Sequence, residues 1–273
     1  MKCVALQFQP AWEDPAQSRD RIAALLDKAG PLHGALVVLP EMAESGFTNH
    51  PERVTDGKSE MFAAALARTH GCFLQHGFTA ACEGAHWNMV AVASPRGEII
   101  GRYAKAHLFS LTGEPAHYRA GGGASIARLV DADAATPRGP AAAASLAPMI
   151  CYDLRFPELW RVAALAGAEV FALSACWPAI RGEHWNILAK ARAVENQACV
   201  IACNRVGEEP GATYAGGSLI IGPAGETLAQ AASGTELLSA DLDIDALRAW
   251  RGKFPSLRDI RRDLLGRGEV HDR

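Results

Sequence analysis

The chain has 273 residues, 49% of them hydrophobic and 21% charged, with a formal net charge of -3 at pH 7. That composition can fill a core and excludes a disordered chain, and at the usual ~150 residues per domain it predicts one domain, since α/β chains of roughly 250 residues often fold as single units. With 27 Lys+Arg against 30 Asp+Glu there is no electrostatic footprint for a phosphate backbone or an anionic membrane, so neither nucleic acid nor a membrane is an expected partner.

The opening residues, Lys2 to Gln9, read as a strand, and their apolar run is too short for a secretory signal; a cytoplasmic chain is expected. Gln17 to Lys28 follows with helical periodicity, Ile22, Leu25 and Leu26 sharing a face, and Ala35 to Leu39 is a buried strand. A helix over about Glu60 to Thr69 leads to a strand over Cys72 to Thr79. Two strands, Asn88 to Ser94 and Glu98 to Arg102, join through Pro95-Arg96-Gly97. The second half repeats the plan. A strand enters Cys151, a helix covers Pro157 to Ala166, and Val170 to Ser174 is a strand. Trp185 to Asn196 is a helix, Cys199 to Asn204 a strand, and Ser218 to Gly222 and Glu226 to Ala229 form a hairpin over Pro223-Ala224-Gly225. The turns Pro95-Arg96-Gly97-Glu98 and Pro223-Ala224-Gly225-Glu226 share three of four residues, which points to a pseudo-duplicated α/β fold with two sheets.

Asp131 to Ser145, rich in alanine and proline, predicts an exposed loop between the halves, and Leu257 to Arg273, with five arginines and four acids, a surface arm. The expected boundaries are therefore one domain over residues 1–255 and a C-terminal arm over 256–273. The most membrane-like stretch, Val162 to Ile180, is interrupted by Gly167, Glu169 and Pro178, and reads as a buried helix and strand, not a span.

Seven scattered cysteines, Cys3, Cys72, Cys82, Cys151, Cys176, Cys199 and Cys203, make a disulfide framework improbable, and all but Cys151 read as small core hydrophobes. There is no Cys-x-x-Cys pair and no His-Glu-x-x-His, so no metal is expected. Gly121-Gly122-Gly123 fits neither a phosphate loop nor a dinucleotide turn, and Gly216-Gly217-Ser218 is not a serine nucleophile elbow.

Three strand ends remain as candidates for chemistry, in the place where open α/β sheets bind ligands. Leu39-Pro40-Glu41-Met42 delivers a carboxylate at the end of an apolar strand; it reads either as a surface acid or as a buried, paired one. Tyr103-Ala104-Lys105-Ala106-His107-Leu108-Phe109 offers a lysine that either snorkels or acts, and a histidine that either braces backbone or shuttles protons, with Gly113-Glu114 close behind. Ile150-Cys151-Tyr152-Asp153-Leu154-Arg155 puts a cysteine at a strand-to-helix turn, either as core filler or as a thiol nucleophile. A thiol needs a base, and an acyl transfer needs donors where the oxyanion develops; glutamate, lysine and cysteine supply both.

With these blocks in order, Pro-Glu-Met followed by Ser45-Gly46-Phe47, then Lys-x-His-Leu-Phe, then Cys-Tyr-Asp-Leu-Arg-Phe-Pro-Glu, the chain resembles the nitrilase, or carbon–nitrogen hydrolase, superfamily from its first strand to Arg251-Gly252-Lys253-Phe254-Pro255. The resemblance implies a four-layer αββα sandwich, a homodimer, a small-molecule amide as substrate, and no metal or organic cofactor. It also implies Glu41 as general base, Cys151 as a thioester-forming nucleophile, Lys105 and the Tyr152 backbone N–H as oxyanion donors, and Glu114 as the acid that positions Lys105 or the substrate.

Trp177-Pro178, Arg181, His184-Trp185, Ala191 to Gln197 and Asn204-Arg205-Val206-Gly207 resemble the omega-amidase branch, which hydrolyses the terminal amide of 2-oxoglutaramate and 2-oxosuccinamate. An anionic substrate makes Arg155 a candidate for its carboxylate, against the alternative that Arg155 braces the turn by pairing with Asp153 or Glu158. Trp177 either walls the pocket or fills core. Cys176 stands where relatives often carry asparagine. Deaminated-glutathione amidase and N-carbamoyl amino acid amidohydrolase are the rival activities. Cys151-Tyr152-Asp153 differs from the Cys-Trp-Glu of true nitrilases, and outside enzymes of this kind an inactive oligomeric scaffold or a thiol redox sensor would use the same residues.

Overall fold

The computed structural model describes residues 1–130 and 144–265. Strand β1 (Lys2–Gln7) sets the pattern for the sheets: Cys3 and Ala5 pack into one apolar cluster, Val4 and Leu6 into another, so both faces are buried. Helix α1 (Pro15–Asp27) begins where the Asp14 side chain accepts from Gln17 N, and buries Ile22 and Leu26. Then come β2 (Leu36–Val38), the short α2 (Pro51–Val54), α3 (Ser59–His70), β3 (Phe73–Cys82), β4 (Ala85–Ala93) and β5 (Ile99–Ala104). The second half runs β6 (Ala127–Leu129), β7 (Ala144–Ile150), α4 (Pro157–Leu165), β8 (Val170–Ala175), α5 (Gly182–Asn196) and β9 (Cys199–Asn204). A hairpin of β10 (Val206–Glu209) and β11 (Ala212–Ala215) is followed by β12 (Leu219–Ile221), β13 (Thr227–Gln230), β14 (Glu236–Asp241) and α6 (Ile244–Lys253).

The two large sheets have the orders β14-β1-β2-β3-β4-β5 and β13-β12-β9-β8-β7-β6. In each, three parallel strands (β1, β2, β3; β7, β8, β9) continue into two antiparallel ones and carry an antiparallel strand on the other edge. The duplication extends to the turns. Ser94 N bonds Glu98 O and Gly97 N bonds Ser94 O, just as Gly222 N bonds Glu226 O and Gly225 N bonds Gly222 O, with Gly97 and Gly225 both at positive φ.

Three apolar clusters define the layers. One joins α1 and α3 to the outer face of the first sheet through Ile22, Leu26, Ala63, Val37 and Leu74; one lies between the sheets, with Leu36, Val38, Val170, Ala172 and Ile201; the third joins α4 and α5 to the second sheet through Trp160, Ala189, Phe171 and Leu173. The result is the αββα sandwich. Polar groups cross between the sheets: Gln75 Nε2 donates to Ala172 O and to Ser174 Oγ, each at 2.9 Å, and Ser174 Oγ donates to Leu39 O at 2.6 Å.

Several expectations change. Ala144 and Ser145, assigned to the loop, are the start of β7, because they pair with Leu129 and Arg128 of β6; residues 131–143 lie outside the described residues. The strand predicted to end at Thr79 runs to Cys82 in its long pairing with β4. Of the C-terminal arm, residues 266–273 lie outside the described residues, while 256–258 and 262–264 are single 3-10 turns. No helix among the described residues is long and apolar enough to cross a membrane.

Trp160 couples packing to the candidate nucleophile. Its indole is fully buried against Phe171, with ring centroids 4.7 Å apart, and its Nε1 donates to Asp153 O at 2.9 Å, inside the turn that follows Cys151. Trp160→Ala is expected to lower the unfolding free energy by about 3–5 kcal/mol, measured by urea titration. Trp160→Phe, which keeps an aromatic ring but loses the donor, should cost about 1–3 kcal/mol; equal stability of all three proteins would contradict the packing role.

Candidate active site

Glu41 follows β2 after Pro40, in a tight turn where Met42 adopts positive φ and Ala43 N bonds Gly77 O. Its side chain is completely buried, so the reading as a surface acid does not hold. One oxygen, Oε1, accepts from Lys105 Nζ and from Asn88 Nδ2, both at 2.7 Å; the other, Oε2, accepts from Cys176 N at 2.9 Å. The lysine follows β5 and is as buried as its partner. Its backbone N–H bonds Asn88 O and its carbonyl accepts from Gly121 N, fixing the chain on either side of the ammonium.

Glu114 supplies the second carboxylate. It lies 3.0 and 3.1 Å from Lys105 Nζ through its two oxygens, accepts from Phe109 N at 2.6 Å and shares Asn88 Nδ2 at 2.9 Å. Burial alone would pull the Lys105 pKa down, but the charges of Glu41 and Glu114 hold it well above its ordinary value, so the ammonium stays charged. The Phe47 ring lies 5.3 Å from Nζ.

Cys151 ends the run of β7 and opens a 3-10 turn, Cys151–Arg155, at φ +41°, a conformation non-glycine residues rarely adopt. The turn is held from within. Asp153, fully buried, accepts from Ile150 N at 3.1 Å, Tyr103 Oη at 2.6 Å and His107 N at 3.0 Å, and its carboxylate lies 2.9 Å from His107 Nδ1. His107 also stacks on Phe156 at 3.8 Å, which identifies it as a brace of this turn. Burial and the neighbouring Glu41 charge push the Cys151 thiol well above its ordinary pKa, against the lowering effect of Lys105. A thiol and a carboxylate in one cavity can pass a proton between them as an electrophile approaches, with the ammonium available for negative charge on a bound molecule.

Glu41, Lys105 and Cys151 line one cavity of about 750 Å³, together with Phe47, Phe109, Cys176, Arg181, Glu209 and Tyr214 among others. The remaining predicted binding residues sit differently. Tyr152, Arg155 and Trp177 line an adjoining recess of about 20 Å³, whose wall also includes Cys151. Arg155 pairs with neither Asp153 nor Glu158; its Nη2 donates to His184 Nδ1 at 3.2 Å and its guanidinium lies 4.8 Å over Trp177. Tyr152 packs against Phe109 and Phe156, and Trp177 is pinned by its Nε1 on Arg181 O and its N on Asn204 Oδ1.

Sequence reasoning missed three members of the site. Cys176, read as core filler, lines the cavity and donates through Sγ to Glu41 O at 3.2 Å. Asn88 bridges the two glutamates, and Asp153 anchors the turn that Cys151 opens. For Asn88 and Asp153 the available signal was a polar residue inside an apolar run or next to the cysteine, which alone does not distinguish a buried bridge from a surface position.

Fold and cluster together define the class: a hydrolase acting on carbon–nitrogen bonds other than peptide bonds. The chain belongs to the carbon–nitrogen hydrolase family, whose model matches residues 4–252, and within the nitrilase superfamily it falls with the omega-amidase-like branch. It is 34% identical over 264 residues to the 2-oxoglutaramate amidase of Bacillus subtilis, covering 95% of this chain and 97% of that one. It is 35% identical over 264 residues to the omega-amidase YafV of Escherichia coli K12, covering 95% and 96%. Among solved structures it matches a CN-hydrolase superfamily protein from Xanthomonas campestris with an arsenic adduct in the active site, at TM-score 0.82 and 28% identity over 100% of this chain and 99% of that one.

Two tests follow from the way Glu41 is held. A Cβ on Gly77 would lie 2.3 Å from Pro40 O and 3.0 Å from Glu41 Cα, so Gly77→Ala should displace the Glu41 turn. The expected result is a loss of activity of about 10²-fold, on the scale of an ångström-sized misplacement, larger than the drop in folded yield; full activity would show that the turn tolerates the shift.

The second concerns Glu44, three residues on, which accepts from Arg19 and Ser59 and contacts His76 Nε2 at 2.8 Å. Burial raises its pKa, but His76 and Arg19 together lower it from 4.5 to about 2. Because the folded value is depressed, this stabilisation is complete above the unfolded value and is lost as pH falls from 4.5 toward 2. The stability gap between wild type and Glu44→Gln, read by thermal melts, should be widest near neutrality and shrink through that window; a gap that does not change with pH would remove Glu44 as its source.

Proposed function

We propose that this chain hydrolyses the terminal amide of a small carboxylate-bearing substrate, of the 2-oxoglutaramate or 2-oxosuccinamate type, to the acid and ammonia through a thioester on Cys151. The observation that carries the reading is the Lys105 ammonium clamped between Glu41 and Glu114 in the cavity that Cys151 also lines. The relatives named for 2-oxoglutaramate and omega-amide hydrolysis support the substrate class.

In this mechanism Glu41 takes the Cys151 proton as Sγ attacks the amide carbon, and the carbonyl oxygen becomes an oxyanion met by Lys105 Nζ and the Tyr152 backbone N–H. The tetrahedral adduct collapses, the C–N bond breaks, and Glu41 returns its proton to the departing nitrogen, which leaves as ammonia. A water then attacks the thioester carbon and yields its proton to Glu41. The C–S bond breaks, the acid is released, and the proton returns to sulfur. Glu114 keeps Lys105 aimed and charged. Tyr152, Arg155 and Trp177 shape the wall beside the nucleophile.

Ammonia release from 2-oxoglutaramate, 2-oxosuccinamate, glutamine and an N-carbamoyl amino acid, measured side by side, tests the substrate class. The expected outcome is turnover of the two oxo-amides, with Cys151→Ala folded and inactive and Glu41→Gln failing to acylate. Turnover of the carbamoyl compound instead, with carbon dioxide released, would replace the reading by a carbamoyl hydrolase; activity surviving in Cys151→Ala would overturn the thioester.

A further inference from the structure

A carboxylate-bearing amide needs a cation at the end of the cavity away from the reacting amide, and the cations around this cavity differ in whether protein acids already answer them. Lys105 is held by Glu41 and Glu114. His50, a cation only when protonated, lies 3.6 Å from Glu52. Arg205, buried behind the wall, pairs with Glu209, whose remaining capacity is taken by Tyr214 Oη and Phe47 N.

Arg181 is the exception. It closes a 3-10 turn, Ala179–Arg181, lines the cavity, and makes no ion pair among the described residues. Its guanidinium lies 5.3 Å from the centre of the Phe109 ring, itself part of the wall. Stacking of this kind holds the guanidinium plane and leaves its N–H edge available for a planar anion. The loop is positioned too, since Trp177 Nε1 donates to Arg181 O at 2.8 Å. Arg181 and Cys151 are both wall residues of the main cavity and of the small recess beside it.

Arg155 is the competing cation, and the geometry disfavours it. It lines only the recess, whose volume of about 20 Å³ is near the room one water needs, and its guanidinium is engaged by His184 and Trp177.

We propose that Arg181, stacked on Phe109, receives the substrate's carboxylate and sets the preference of this site for anionic over neutral amides. The proposal rests on the amidase reading above and adds to it the residue that selects the substrate.

The test compares kcat/KM for the monoamide of glutarate, which is anionic, with that for pentanamide, which has the same carbon count and a methyl in place of the carboxylate, in wild type, Arg181→Met, Arg181→Lys and Arg155→Met. Wild type should prefer the anion. Arg181→Met should lose about 100-fold on the anion, mostly as a raised KM, and change pentanamide hydrolysis by no more than about threefold, since one charge-assisted contact is removed and the chemistry is not. Arg181→Lys should keep part of the preference, and Arg155→Met all of it.

A wild type that favours pentanamide would overturn both the anionic-substrate reading and this subsite. A wild type that favours the anion with a preference surviving in Arg181→Met, or lost in Arg155→Met instead, would overturn the subsite alone. Equal losses on both substrates in Arg181→Met would show that Arg181 supports the fold of the site and not its selectivity.

Discussion

A single buried ammonium organises this molecule. Lys105 is almost wholly removed from water, and leaving such a charge without partners costs about 3–5 kcal/mol. Two carboxylates from distant parts of the first half therefore converge on it, Glu41 after β2 and Glu114 after the Phe109 loop, and Asn88 in β4 ties the two acids to one another. Burial first, and the neighbouring Glu41 second, push the Cys151 thiol well above its ordinary pKa against the lowering effect of Lys105.

Convergence on one lysine explains why the two sheets must hold a fixed register. Glu41 belongs to the first sheet, yet its second oxygen is satisfied by the backbone of Cys176, at the end of β8 in the second sheet. β2 and β8 are equivalent strands of the duplicated pattern, so the site is built where the two halves meet at corresponding strand ends. The Gln75–Ser174–Leu39 chain crosses between the sheets just behind this point. Apolar packing between the sheets is nondirectional and tolerates sliding; these buried hydrogen bonds do not, and each would leave an unsatisfied group if the sheets shifted by a residue.

The same physics decides what was legible in the sequence. Strands buried on both faces, such as Leu36–Val38 and Val170–Ala175, announce themselves as continuous apolar runs, and the paired Pro-x-Gly-Glu turns revealed the duplication before any pairing was known. Glu41 and Cys151 end such runs and Lys105 follows the first hairpin; each alone read as readily as a surface or core residue, and the three stood out together, in motifs that resemble those of one family. β14 was not legible: as an edge strand it is only partly buried, and its sequence, Glu236 to Asp241, lacks a clear apolar face. The β10–β11 hairpin escaped for the same reason, Val206-Gly207-Glu208-Glu209 being a polar stretch whose partner is visible only in three dimensions. Asp153 and Asn88 are ordinary polar letters until the chain brings Tyr103, His107 and the two glutamates to them. Arg155, four residues after the cysteine, read either as part of the pocket or as a brace on Asp153 or Glu158; the 3-10 turn carries its side chain to Trp177 and His184 instead of those acids, beside the recess that Cys151 also lines.

Chemistry and recognition are consequently supported by different kinds of structure. Glu41, Lys105 and Cys151 stand at strand ends, and buried hydrogen bonds from several elements hold their segments, so their geometry is a property of the sandwich. Much of the surrounding wall, by contrast, comes from short turns and from the hairpin: Ser110–Thr112, Ala179–Arg181 and the segment between β10 and β11 all contribute lining residues, and Leu111 and Ile180 are largely exposed there. Substitution in those turns alters the length, charge and rim of the cavity at little cost to the core, because few buried contacts depend on them. A chain of this fold can therefore keep its buried cluster while the loops that line the cavity vary.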